Sequence, residues 1–182
     1  VAHDGRLFAP WILFTTLLSA SSVLVYPCVF PTEQDRAGLA AAIGANPAIG
    51  LIFGPAFDIS TTDGFNAWRS LALGGFLAAL GVIFAITRAT RAQEDSGQAE
   101  LLASGVVGRR TRLVAAVAIG LIGSVLLGVV AGLVTVACGG GWMPSMLLAA
   151  TFTATGWMFT GVAAVAALIG SDARTANAIA VG

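Results

Sequence analysis

Long apolar stretches alternate with short polar ones along this chain. A helix crossing the roughly 30 Å hydrocarbon layer needs about 20 mostly apolar residues, at a rise of 1.5 Å per residue. The stretches at 7–26, 66–87, 113–137 and 144–169 meet that length, and a fifth begins near Thr175. The first is predicted to end at Pro27 and Pro31, since proline cannot continue a helix. No charged residue occurs from Ser70 to Thr87 or from Leu113 to Ser171. The pattern predicts an all-α fold: a polytopic bundle of transmembrane helices, with a short helix on the outer surface and another on the cytoplasmic side. The apolar run at 7–26 is longer than a signal-peptide core, and no small-x-small cleavage site follows Tyr26. It reads as a retained helix.

Polar positions have a pattern too. Eight of the eighteen charged residues fall between Arg88 and Arg112. Cytoplasmic loops hold an excess of basic residues. With the amino end inside, Arg6, Arg88, Arg91, Arg109, Arg110, Arg112 and Arg174 lie on the inner side, and only Arg36 and Arg69 on the outer. The chain is therefore expected as a multi-pass membrane protein with its amino end cytoplasmic. The loop at 88–112 then faces the cytoplasm and the loop at 27–65 faces out.

Within the outer loop, Thr32 and Asp35 have the spacing of a capping box, with Asp in place of Glu. They predict a helix from about Glu33 to Ala45, stopped near Asn46-Pro47. The apolar residues that follow, Ile49 to Phe57, predict short helices and turns along the membrane surface. Within the cytoplasmic loop, Ala92 to Ser104 can form a helix. Glu94 and Asp95 would sit in its first turn, where negative charge suits the helix dipole, and Gly105 would stop it. Such a helix serves equally as a solvated interfacial element or as one that docks in a partner's groove.

Composition narrows the class. Hydrophobic residues make up 57% of the chain and charged ones 10%, against roughly a quarter charged in soluble domains. All nine basic residues are Arg and the net charge is zero, so nothing points to nucleic acid. The chain begins at Val1 and ends at Gly182 within an apolar pattern, and reads as a piece of a longer protein. In the third span Gly120, Ser124, Gly128 and Gly132 recur every four residues, a small face that lets helices approach closely in lipid. Gly74 and Ala78, with Gly81 nearby, and Gly156, Thr160 and Ala164 offer similar small faces in the second and fourth.

Catalytic patterns are missing. A Walker A loop needs Lys, which the chain lacks. His3 is the single His, and no HExxH or CxxC occurs, so neither a catalytic nor a metal-binding constellation is supported. No charged residue lies deep in a span, which argues against an ion-coupled pump. Cys28 and Cys138 fall at the outer ends of the first and third spans. A disulfide between them requires Cα atoms within about 7 Å; two unpaired thiols are the other reading.

The run T-R-A-T-R-A-Q-E-D-S-G-Q-A-E-L-L-A-S-G-V-V-G-R, Thr87 to Arg109, resembles the signature loop of actinobacterial ABC exporter permeases of the polyketide-antibiotic (tetronasin-type) class. Arg88, Thr90, Arg91, Glu94, Gly97, Glu100, Leu101, Val107, Gly108 and Arg109 match it. Ala89, Asp95 and Gln98 depart from its usual His, Glu and Arg. N-P-A-I-G-L-I-F-G-P-A-F, Asn46 to Phe57, and A-R-T-A-N, Ala173 to Asn177, are similar to the same family. The resemblance implies a permease subunit of which this chain is most of the first half. It implies a cytoplasmic ABC ATPase partner, a dimer that holds ATP and Mg, with no cofactor in this chain. The 88–112 loop would be a coupling helix docking on that ATPase through Arg91, Glu94, Asp95, Glu100, Leu101 and Arg109. Hydrophobic compounds such as antibiotics would be its substrates. The alternatives are a non-transporting membrane anchor or scaffold, and a lipid or ion-coupled secondary transporter.

Overall fold

The computed structural model describes residues 5–88 and 109–169, with residues 178 and 181. It is all-helical, with no strand among the described residues. Six helices are defined: α1 (Gly5–Val29), α2 (Glu33–Gly44), α3 (Pro47–Phe53), α4 (Thr62–Thr87), α5 (Arg109–Ala137) and α6 (Trp142–Ile169). Four contain stretches long and apolar enough to cross a membrane: Phe8–Val29, Thr62–Thr87, Leu113–Ala137 and Trp142–Leu168.

The ends of these helices have local causes. α1 runs through Pro27 instead of stopping there. That proline lies in the last turn, where its missing N–H costs a single ladder bond, and the Phe30 N–H still reaches the Tyr26 carbonyl at 2.9 Å. The stop comes just before Pro31, whose ring disfavours helical backbone at Phe30. α4 begins four residues ahead of the apolar pattern because Thr61 caps it: its hydroxyl accepts the Gly64 N–H at 3.0 Å. α2 opens on a full capping box. The Asp35 N–H reaches the Thr32 hydroxyl, and the Thr32 N–H reaches the Asp35 carboxylate, both at 3.1 Å. Asn46 then caps α3 through the Ala48 N–H at 3.1 Å, with Pro47 in the first turn. α2 and α3 meet at 89°.

Side-chain neighbours give the bundle its order. α1 packs on α4 and α5, α6 packs on the same two, and α4 meets α5 across the middle. Trp11 of α1 lies beside Gly81 and Phe84 of α4, while Ser19 lies beside Asn66, so α1 and α4 run antiparallel. Phe8 lies beside Gly123 and Ser19 beside Thr135, so α1 and α5 run parallel. Gly74 meets Phe152 and Val82 meets Gly156, which makes α4 and α6 parallel. One end of the bundle therefore collects α2, α3, the start of α4 and the α5–α6 turn. Arg88 and Arg109 lie at the other end.

Burial differs from that of a water-soluble bundle, with many small polar side chains inside and many large apolar ones outside. Thr15, Ser19, Ser22, Asn66, Ser70, Ser124, Thr135 and Thr160 are buried, while Leu13, Phe14, Phe76, Ile122, Leu126 and Met158 are exposed. In lipid, large apolar side chains gain nothing by leaving the surface. Helices associate instead through small residues and interhelical hydrogen bonds. Two apolar clusters fill what remains inside. Phe8, Val82, Ile83 and Ile86 form one, and Leu127, Ala131, Leu148 and Phe152 the other.

Candidate functional site

The buried polar side chains gather in the half of the bundle that carries α2 and α3. Asn66, 2% exposed on the second turn of α4, is their centre. Its amide lies 3.1–3.2 Å from the Ser19 hydroxyl of α1, and its carbonyl accepts the Ser70 hydroxyl at 2.8 Å. Thr135 of α5 brings its hydroxyl to within 2.8 Å of the same Ser19 oxygen. Three helices are thus joined through one hydroxyl. Around this cluster the hydroxyls of Thr15, Thr16 and Ser145 are buried with no hydrogen-bond partner among the described residues.

Beyond the cluster, the segment that carries α2 and α3 is fastened to the bundle. The Tyr26 hydroxyl donates to the Ile59 carbonyl at 2.5 Å, and the Tyr26 ring stacks on Phe65 at 4.8 Å. Arg36 stands over that ring, 5.5 Å from its centroid, and donates to the Phe30 carbonyl at 3.0 Å. The Trp68 indole donates to the Gly54 carbonyl at 3.1 Å and packs on Phe53. Asp58 has φ of 51°, a left-handed position that Asp tolerates. Its carbonyl leaves no room for a side chain at Gly64, so the turn into α4 needs glycine there. Asp63, in the first turn of α4, accepts the Gly141 N–H at 2.9 Å and ties the α5–α6 turn to α4.

A cleft of about 670 Å³ opens beside these carboxylates, between the α3–α4 loop, α4 and α6. Phe57, Asp58, Asp63, Trp68, Met143 and Leu147 are among the residues that form its walls. A second groove, of about 590 Å³, lies between α1 and α4, walled by Phe14, Leu17, Leu73 and Phe76 with Arg69 at its edge. Arg69 is half-buried and donates to the Ser22 hydroxyl at 2.7 Å. Ligand pockets are commonly mostly apolar, with a few placed polar groups, and lie between helices of bundles. Both hollows fit that description. No group of three metal-ligating side chains occurs among the described residues.

The residues singled out from sequence are distributed as follows. Arg91, Glu94, Asp95, Glu100 and Leu101 lie outside the described residues. Arg109 opens α5, at the bundle end opposite the cleft. Gly120, Ser124, Gly128 and Gly132 line one face of α5 turned toward α6. Added methyl groups there would meet Thr160 at Gly120, Thr153 and the Ala149 carbonyl at Gly128, and Met146 and Ala149 at Gly132. Ser124 is buried, donates to the Gly120 carbonyl at 2.7 Å and abuts Gly156. Cys28 and Cys138 are both free, the first exposed near the end of α1 and the second half-buried just past α5. Sequence reasoning passed over Asn66, Asp58, Asp63 and Trp68. The run Thr61-Thr62-Asp63-Gly64 carried a signal, since Thr and Asp there mark a helix start.

No protein-family model matches the chain. The chain is similar to the multidrug efflux system permease protein Rv1217c of Mycobacterium tuberculosis, with 36% identity over 174 residues. The match covers 93% of this chain and 31% of that relative, so the chain spans about a third of the length of the curated protein it matches.

Proposed function

From this similarity we propose that the chain is part of the membrane-spanning permease of an ATP-driven exporter of hydrophobic compounds. The observation that carries the reading is the match to an efflux permease over nearly the whole of this chain. The physical character of the bundle agrees with it. Small, hydroxyl-bearing interior faces let the helices pack closely in lipid, and large apolar side chains face outward.

In this reading the chain supplies path and binding surface, and ATP with its Mg is bound by a separate cytoplasmic ABC ATPase, a dimer. The segment at 88–112 is the natural place for that partner to dock. It connects the ends of α4 and α5 at one end of the bundle, and it holds Arg91, Glu94, Asp95, Glu100, Leu101 and Arg109. Closure of the ATPase around ATP would push on this segment and so on both helices. The side chains would act by contact, without covalent chemistry. The class is the polyketide-antibiotic type, on the strength of the Thr87–Arg109 run. The amino end would be cytoplasmic, on the strength of the arginine distribution.

The test is to purify the full-length permease co-expressed with the ATPase encoded beside it. ATP turnover of the reconstituted pair is then measured with and without hydrophobic antibiotics. Vanadate-sensitive turnover that rises with the compound, and falls when Glu94 and Glu100 are reversed to Lys, is the expected result. Two polypeptides that never associate would sink the coupling role of the 88–112 segment and favour a membrane scaffold.

A further inference from the structure

The cleft between the α3–α4 loop, α4 and α6 holds two carboxylates that no cationic side chain among the described residues bonds. Its walls are largely apolar, and Phe57, Trp68, Met143 and Leu147 are among them. Asp58 and Asp63 are its two carboxylates. The donors they meet are neutral. Asp58 is met by the Thr61 and Ser60 hydroxyls at 3.3 and 3.5 Å, and Asp63 by the Gly141 backbone N–H at 2.9 Å.

The two arginines at this end of the bundle are engaged elsewhere. Arg36 lies over Tyr26 and bonds the Phe30 carbonyl, and Arg69 bonds Ser22. Among the described residues neither carboxylate has a cationic partner. Two carboxylates at the edge of a largely apolar hollow, with no cationic side chain of the described residues bonded to them, attract positive charge. A small metal ion would need more ligands than these two offer. A molecule with an aromatic body and a spread positive charge needs fewer. Its body gains from burial against Leu147 and Met143, and its charge gains from the carboxylates and from the ring faces of Trp68 and Phe57. The volume of about 670 Å³ is that of a drug-sized ligand site.

We propose that this cleft binds an amphiphilic aromatic cation, with Asp58 and Asp63 facing its charge and Trp68 and Phe57 its rings. As a statement of what the exporter carries, the proposal rests on the exporter reading. As a statement of what the cleft binds, it stands apart from it.

The experiment uses the full-length permease purified with its ATPase partner. Equilibrium dialysis measures saturable binding of tetraphenylphosphonium, and of tetraphenylborate as a size-matched anion, above partition into protein-free micelles. Tetraphenylphosphonium is expected to bind the wild type and tetraphenylborate is not. Asp58→Asn with Asp63→Asn should weaken cation binding by roughly tenfold or more, from the lost charge attraction. Asn retains an acceptor for the local hydrogen bonds and tolerates the left-handed backbone at 58. Leu147→Trp, on an exposed position of α6, should also abolish binding by filling the cleft. Absence of cation binding to the wild type, affinity unchanged in both variants, or equal binding of the anion, would overturn the proposal. ATP turnover of the same preparation separates the two ideas. Turnover stimulated by neutral hydrophobic compounds without carboxylate-dependent cation binding keeps the exporter and removes the cleft. Carboxylate-dependent binding without any stimulated turnover does the reverse.

Discussion

Gly156 of α6 abuts Ser124 of α5 so closely that a methyl group on the glycine would overlap the serine side chain. Both are buried, and the contact lies midway along the antiparallel α5–α6 pair. Over-packing such a contact forces the helices apart, at a cost of about 1–3 kcal/mol or more. Gly156→Leu should therefore lower the thermal midpoint of the detergent-purified full-length protein. Gly161→Leu, on the same helix but with open space beside it, should leave the midpoint nearly unchanged. Equal effects of the two would mean that the α5–α6 contact is not as close as described.

A second prediction concerns the one hydroxyl that joins three helices. Ser19 lies within 3.2 Å of the Asn66 amide and 2.8 Å of Thr135. Hydrogen bonds between membrane helices contribute about 0.6–2 kcal/mol each. Asn66→Ala should destabilise more than Ser19→Ala, because it also strands Ser70. The double variant should cost less than the sum of the singles. A double-mutant cycle read by reversible unfolding measures this directly, and strict additivity would show that Ser19 and Asn66 do not interact.

These two sites differ in how far the sequence announced them. The repeat Gly120, Ser124, Gly128 and Gly132 was visible as a helix face, because its four-residue period coincides with the helical one. The four apolar stretches were visible by their length and apolar content, and only their ends moved. Pro27 sits inside α1 because one lost bond in a last turn is a small cost beside the packing of Tyr26 on Phe65. α4 starts at Thr62 because a threonine cap outweighs the polarity of Asp63 and Asn66. Asn66 itself gave no signal, since one amide near a helix end looks the same whether it meets water or Ser19. Asp58 and Asp63 were silent in a different way. They become parts of one cleft only when α6 lies parallel to α4, and no local pattern encodes that packing.

Helix α2 offers a pH-dependent signature. The Asp35 carboxyl is held below its ordinary value of 3.8, first by the hydrogen bond from the Thr32 side chain and then by the Thr32 backbone N–H. A depressed folded value means that the capping contribution is fully present above the unfolded value. It is lost as the pH falls through the folded one. Amide exchange of the first turn of α2 should thus stay slow near neutral pH. Once the intrinsic pH dependence of exchange is removed, protection should drop only below the ordinary aspartate range. Thr32→Val, which removes the hydroxyl, should move that loss to higher pH. Protection in the variant that is identical to wild type at every pH would exclude the capping box as its source.

The two free thiols test which way the bundle faces. Cys28 is exposed near the end of α1 and Cys138 is half-buried beside the α5–α6 turn, both at the end that carries α2, α3 and the cleft. The arginine distribution predicts that this end lies outside the cell. A membrane-impermeant maleimide added to intact cells should then label Cys138, and a cysteine introduced at Arg88 should be labelled only after the cells are opened. Asp63→Ala, which removes the acceptor of the Gly141 N–H, should speed labelling at Cys138 by loosening the turn beside it. Labelling at position 88 in intact cells, with Cys138 protected until lysis, would reverse the orientation and put the cleft on the cytoplasmic side, where a bound cation would be waiting to leave rather than leaving.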